Sequence, residues 1–383
     1  MIRVTPAAVA AFRAERNHLA GPGASDFVTA AGDVLGAQAQ ILAPALHSIA
    51  LRTAAQGAGS AKVAPTADDV RKALHTDRKL VHTWGQRDTL HLYPADDWAY
   101  FVASWRVWLR TGRRGLEPPT KSVAKTLARL EKGEPLTRTD VVSHLPKSYV
   151  DEWEERIGNR DDAYRFGAGR LFWALAHAGQ VCLGTMRGRE QTYVARATWL
   201  PDLDWKSLDP DTAATELTSR YLRVHGPATA QDVAHFFGAK VGSAQKWIDA
   251  IPGTVDIDCE GRAGLKLHGD DIDILRKRRP VPPARLLPKF DTLLMAHADK
   301  SWTVPDEAER KKVWLRFADV AAVVLAGGRV VATWRHKATK KQLGIVVTPL
   351  SGWKKPLAKQ VETDAARTAT ILGCAEAHVE VES

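Results

Sequence analysis

Two glutamines two positions apart, Gln38 and Gln40, are the side chains whose spacing invites a chemical reading that needs neither a metal nor an ionising base. They lie in Gly36-Ala-Gln-Ala-Gln-Ile-Leu-Ala-Pro44. On a regular helix they would point about 200° apart and could not converge. Pro44 has no N–H to give the Gln40 carbonyl, and its ring favours a helix that starts there. A helix is therefore expected over Pro44–Arg52, with Leu46, Ile49 and Ala50 inward and the glutamines in the irregular turn ahead of it. In an extended or turn geometry residues two apart share a face, and two convergent amides can grip one water or one anion. The other reading is a pair of solvated glutamines on a surface helix. The residues alone leave both open.

Other chemistries find no support. The chain has no His-Glu-x-x-His, Gly-x-Ser-x-Gly, Walker or dinucleotide signature. Its 13 histidines show no metal-ligand spacing, and its 3 cysteines, Cys182, Cys259 and Cys374, are far apart and odd in number. That disfavours a zinc ribbon and a disulfide scaffold and fits a reduced cytosol, so neither a metal nor a cofactor is expected. No apolar run approaches the roughly 18 residues of a membrane span, and Glu15 interrupts the stretch a signal peptide would need. A cytoplasmic protein is expected, with no membrane partner.

The elements that must position the glutamines can be read from a repeat. Thr-x-x-Asp-Val occurs at Thr66–Val70, Thr137–Val141 and Thr229–Val233, each shortly after a proline. The threonine can accept from the third helical N–H while the aspartate suits the helix's positive end; glutamate or glutamine is the usual partner in a capping box, so this is a relative of it. Apolar residues follow at helical spacing, then a second helix and a short β pair. In the second copy these are about Ala163–Ala178, Gln180–Gly184 and Gln191–Arg196. In the third, Ser243–Ile251 leads to Val255–Cys259 and Leu265–His268, while the first is terser, with Asp77–His82 and Thr89–Tyr93. Helix, turn, helix and hairpin is the winged-helix plan. Unequal spacing argues for tandem domains rather than a solenoid.

Beyond a connector with Pro280, Pro282, Pro283 and Pro288, strands are expected at Leu286–Ala296, Lys312–Phe317, Val320–Leu325, Arg329–Thr333 and Leu343–Thr348. Gly327-Gly328 would be a tight turn and Leu357–Leu372 a final helix. The expected fold is α+β, three tandem winged-helix domains plus a C-terminal β-rich domain, divided as 1–110, 111–203, 204–279 and 280–383. Charge follows this division. Residues 276–360 carry 19 Lys and Arg against 6 Asp and Glu, a net of +13 within a total of +10, so the remainder nets −3. Such a stretch suits a phosphate backbone, or is a solvated face.

Gln-Ala-Gln after glycine, followed by proline, a helix and Arg52, resembles the Gln-Φ-Gln motif of the AlkZ/YcaQ-like winged-helix DNA glycosylases. So do Trp84…Arg87-Asp-Thr-Leu-His-Leu-Tyr-Pro94 and Gly226-Pro-Ala-Thr-Ala-Gln-Asp-Val233. Leu287-Pro-Lys-Phe-Asp-Thr-Leu-Leu294 and Val324-Leu-Ala-Gly-Gly-Arg-Val-Val-Ala-Thr-Trp-Arg335 complete the set, spanning nearly the whole chain in order. Glutamine rather than aspartate at position 40 is similar to the AlkZ branch. The resemblance implies a C-shaped arrangement with Gln38 and Gln40 catalytic on its concave face. The partner it implies is double-stranded DNA carrying alkylated purine lesions, including bulky adducts and interstrand crosslinks. The implied activity is a monofunctional glycosylase for N7-alkylguanine adducts, acting as a monomer and associated with the nucleoid when bound, with self-resistance to an alkylating natural product as a role. A non-enzymatic winged-helix regulator is the alternative.

Asp291 is the candidate for an assisting carboxylate, or else caps a turn. The DNA-contact candidates are Arg52, Trp84 (which can stack on a base), Arg87, Arg187, Arg189, Arg276, Lys277, Arg278, Arg279, Arg335 and Lys337.

Overall fold

The computed structural model describes residues 2–55, 63–108, 115–277 and 279–382. Helices and three sheets are mixed throughout, an α+β fold.

All three Thr-x-x-Asp units make reciprocal caps. Asp69 Oδ2 accepts from Thr66 N at 2.9 Å and Thr66 Oγ1 from Asp69 N at 3.1 Å, and Asp232 with Thr229 repeats both distances. At Thr137 and Asp140 they are 2.7 and 3.3 Å. Aspartate thus serves where glutamate is usual. The units nevertheless differ. Thr229 opens helix Ala230–Phe237, followed by Val241–Ala250 and the hairpin Thr254–Cys259/Arg262–His268. Thr137 precedes only a 3₁₀ turn, Thr139–His144, before helices Lys147–Ile157 and Arg160–His177. Helix Ala67–His75 runs directly into the hairpin Leu80–Trp84/Leu90–Pro94; its partner helix, Leu42–Arg52, comes before it rather than after.

The expected boundary near residue 110 does not separate two sheets. One five-stranded sheet runs Ala37–Gln38, Leu90–Pro94, Leu80–Trp84, Val181–Arg187, Glu190–Ala195. His82 pairs with Leu183 antiparallel, so the first and second hairpins fuse. The N-terminus belongs elsewhere too. Strand Ile2–Arg3 pairs in parallel with Thr254–Cys259, and helix Pro6–Arg16 buries Val9 and Phe12 against Ile257, Leu265 and Leu275. Buried Arg13 donates to the carbonyls of His225 (3.0 Å) and Pro227 (2.7 Å). Residues placed in the first unit by the sequence therefore clamp the third.

The C-terminal sheet runs Arg285–Leu287, Val323–Ala326, Arg329–Ala338, Gln342–Pro349, Glu376–Val381, with the last strand parallel to its neighbour. Helix Leu357–Ile371 covers it through Val361, Ala365 and Ala369. Gly327 and Gly328 form the expected turn at positive φ. Two expected strands are corrected. Leu286–Ala296 is a strand only to Leu287, because Asp291 then caps a short helix, Thr292–Met295. Lys312–Phe317 is not a strand; Asp306 caps helix Glu307–Val313, acidic in its first turn and basic in its last, an order that favours the helix dipole.

Burial of histidine makes the fold sensitive to acid. His47, His82 and His225 are buried, and burial pushes His47 and His225 down to about 3 and His82 to about 4. The unfolded chain, with histidines near 6.5, takes up protons that the folded one refuses. Stability should therefore fall as pH drops below about 6.5, by up to about 1.4 kcal/mol per pH unit for each of them. Urea midpoints at about pH 7, 6 and 5 should step downward; equal midpoints would contradict the assignment.

Candidate active site

Gln38 ends the edge strand Ala37–Gln38, opposite His91. Gly36 lets the chain enter it: at φ 89°, an added Cβ would lie 2.4 Å from the Tyr93 ring. Ala39 is held on both sides, its N–H donating to Leu90 O at 2.6 Å and its carbonyl accepting from His82 Nε2 at 3.0 Å. Its small side chain is fully buried in the core shared by helix Leu42–Arg52 and the C-terminal segment. The helix begins two residues before Pro44, which costs nothing because first-turn N–H groups lack intrahelical partners. Both glutamines stand ahead of it, as expected.

Their environments differ. Gln38 is 8 % exposed, and its Oε1 accepts from Arg87 Nη2 at 2.9 Å. Arg87, at φ 58°, also donates to Phe236 O, and its Nη2 lies 3.4 Å from His91 Nε2. His91 Nδ1 is 3.0 Å from Thr89 O; Nδ1–H donates there, leaving Nε2 as acceptor. Burial holds His91 well below its usual pKa and lowers Arg87 to about 10, so a neutral imidazole faces a guanidinium that remains cationic at neutral pH. Arg87, expected on DNA, is thus engaged with Gln38 and ties the first unit to the third.

Gln40 is exposed. It lies on the wall of a groove of about 710 Å³, with Leu42, Trp84, Arg138, Met186 and Tyr193 around it. Trp84 is half-buried and stacks parallel to Tyr193 at 6.1 Å, while Arg138 Nε donates to the tyrosine hydroxyl at 3.3 Å. Sequence reasoning missed Arg138, Met186 and Tyr193; they line the groove with Gln40 only because the hairpins fuse. A cleft of similar size, about 750 Å³, lies between helices Pro6–Arg16 and Pro210–His225. Several of its charges are paired with one another, His18 with Asp33 and Arg220 with Asp97.

Two assignments are corrected outright. Arg52 and Asp291 have fully buried side chains and bond bidentately at 2.9 and 2.9 Å, so Arg52 cannot touch a phosphate and Asp291 cannot reach a substrate water. Arg279 turns inward to Glu15 and the Ile274 carbonyl. Arg187 is exposed but paired with Asp140, and Arg335 is exposed but bonded to Glu382 at 2.7 Å. Arg189, Arg276, Lys277 and Lys337 are exposed; Arg278 lies outside the described residues. Among the described residues no cluster of His, Cys, Asp and Glu could hold a metal, and no helix is long and apolar enough to cross a membrane.

A family model described as DNA glycosylase AlkZ-like matches residues 31–371. The chain belongs to the AlkZ-like DNA glycosylase family. It is therefore an enzyme, a DNA glycosylase with DNA as its substrate, and the regulator reading falls. An interstrand DNA cross-link repair glycosylase of Streptomyces sahachiroi is 30% identical over 390 residues, covering 97% of this chain and 98% of the relative. The solved structure of Streptomyces sahachiroi DNA glycosylase AlkZ is similar with a TM-score of 0.80 at 25% identity, covering 100% of both chains.

Proposed function

We propose that this glycosylase hydrolyses the N-glycosidic bond of bulky or crosslinking N7-alkylguanine adducts, leaving an abasic site, and that Gln38 and Gln40 place the attacking water. The observation that carries the reading is Gln40 on the wall of an open groove, beside Gln38 clamped by Arg87. An N7-alkylguanine is already cationic, so its glycosidic bond breaks to a neutral base without a general acid. What remains for the protein is to orient water and stabilise an oxocarbenium-like transition state. Amides suit this, since neither ionises across the working pH range. Arg87 fixes one Gln38 lone pair and hence the plane of that amide; Gln40 Oε1 is free to accept a water proton.

The open groove, rather than an enclosing pocket for a flipped base, leaves room for an adduct or the second strand of a crosslink. The name of the Streptomyces relative supports crosslink repair. We read the helix–helix–hairpin units as winged helices around a concave face. The chain acts there as a monomer on duplex DNA, associated with the nucleoid, and protects its host from a DNA-alkylating natural product. The exposed cations Arg189, Arg276, Lys277 and Lys337 bind phosphates.

Duplexes with one defined N7-alkylguanine, and the same adduct as an interstrand crosslink, test this. Enzyme-dependent abasic product from both is expected. Tight binding with no abasic product from several N7 adducts would sink the substrate assignment.

A further inference from the structure

Phe317 is the most exposed large apolar side chain among the described residues, at 101 % of its reference accessibility. It stands at the tip of a small hairpin. Trp314 and Val320 form an antiparallel bridge, and Leu315 N donates to Asp319 O at 2.8 Å. Phe317 and Ala318 between them are both left-handed, at φ 60° and 57°. They are the two central residues of the turn that Asp319 N closes on Arg316 O at 3.4 Å; such a pair normally takes Asn-Gly or Gly-Gly, and each non-glycine there costs roughly 1–2 kcal/mol. Burial of the phenyl ring offsets none of it. Strain and an exposed aromatic at one place point to an external partner.

The hairpin base is fixed relative to the glutamines. Val313 and Val320 are buried in the same apolar cluster as Ala37, Ala39 and Leu46, with Trp314 packed against it. Lys289 Nζ holds Asp319 at 2.7 Å and neutralises the acid nearest the tip. The charge that remains is positive: Lys311 and Lys312 at the end of helix Glu307–Val313, and Arg316 beside the phenyl, all exposed. An apolar tip with Arg316 next to it and Lys311 and Lys312 at the foot of the same hairpin matches one surface in particular, a nucleic-acid duplex whose phosphates flank apolar base faces.

We propose that the 314–320 hairpin is a DNA wedge: Phe317 enters a base step of the substrate duplex while Arg316, Lys311 and Lys312 contact the flanking phosphates. The inserted ring opens the stack and bends the duplex against the groove that holds Gln40. This rests on DNA being the substrate and is independent of which lesion is excised.

The test scans 2-aminopurine through an undamaged duplex and through one carrying an N7-alkylguanine. With the wild-type protein one step should brighten. Phe317→Ala should abolish that brightening and weaken duplex affinity about tenfold, the scale of one base–aromatic contact, with an unchanged melting temperature. Phe317→Leu should retain most of both. Replacing Arg316, Lys311 and Lys312 by Gln should weaken binding and flatten its salt dependence while the brightening persists at saturation. Affinity within twofold and unaltered fluorescence for Phe317→Ala would overturn the wedge. So would a loss confined to phosphatidylserine vesicles, which would make the tip a membrane contact. Excision is followed on the same lesion duplex. Its absence in wild type removes the lesion assignment, whereas the undamaged duplex still tests the wedge.

Discussion

Gln40→Ala should lower the single-turnover excision rate by about 10²–10³, the scale for removing one transition-state hydrogen bond, with the melting temperature unchanged. Gln40 gives the cleaner test of the pair because it is exposed on the groove wall. Truncating it leaves no buried partner behind. Gln38→Ala instead strands Arg87 Nη2 with only the 3.4 Å approach to His91 Nε2, and an unsatisfied buried donor costs about 1–3 kcal/mol. Its loss of rate would mix chemistry with a slackened junction between the first and third units. Gln38→Glu keeps an acceptor for Arg87 and should preserve the melting temperature. The measurement is single-turnover product formation at saturating enzyme on an N7-alkylguanine duplex. A Gln40→Ala rate within threefold of wild type would remove the glutamine pair from the mechanism, even if excision itself stands.

What was legible in the sequence was local. The Thr–Asp caps act across three residues, so Thr66, Thr137 and Thr229 could be read directly, as could the final helix, expected at Leu357–Leu372 and found at Leu357–Ile371. The placement of Gln38 and Gln40 ahead of a helix followed from Pro44 alone. What depended on distant partners was not legible. Arg52 and Asp291 are 239 residues apart, and nothing near either says that each exists to neutralise the other. Arg87 sits in a motif that invites a DNA-contact reading, yet its guanidinium meets Gln38 and Phe236 O. Helix Glu307–Val313 buries only Val313, too little to show helical periodicity, so it was not read at all, and the strand expected at Lys312–Phe317 instead spans the end of that helix and the turn Arg316–Ala318. The groove itself depends on His82 meeting Leu183, a pairing between hairpins that no spacing announces. The basic excess of residues 276–360 was real as arithmetic but less free than it looked, since Arg279, Arg285 and Arg335 each bond a carboxylate.

Asp291→Ala should cost about 3–5 kcal/mol of folding stability, the range for leaving one half of a buried ion pair uncompensated. Its side chain and that of Arg52 are both 0% exposed. Each carboxylate oxygen is doubly engaged. Oδ1 accepts from Arg52 Nη2 at 2.9 Å and Leu293 N at 3.1 Å, and Oδ2 from Arg52 Nη1 at 2.9 Å and Ser48 Oγ at 3.2 Å. A carboxylate so engaged has no lone pair to offer a water, so the two readings of Asp291 diverge. If it were an assisting base, Asp291→Asn would abolish excision with the fold intact. As a strut between helix Leu42–Arg52 and the C-terminal segment, its loss appears first in unfolding. Asp291→Asn should lower the urea midpoint while excision persists at temperatures where the protein stays folded. Arg52→Met should be destabilising too, because it leaves Asp291 buried as a bare charge. Replacing both by apolar residues should recover much of the loss, since a buried pair is often near neutral against a well-packed apolar substitute. A melting temperature unmoved by Asp291→Ala, together with lost excision, would return the residue to the active site. The expected pattern instead gives the pair the task of holding Gln38 and Gln40 in register: the helix it anchors follows the Gln-Ala-Gln turn, and Thr292 Oγ1, one residue on, donates to Gly36 O at 3.3 Å.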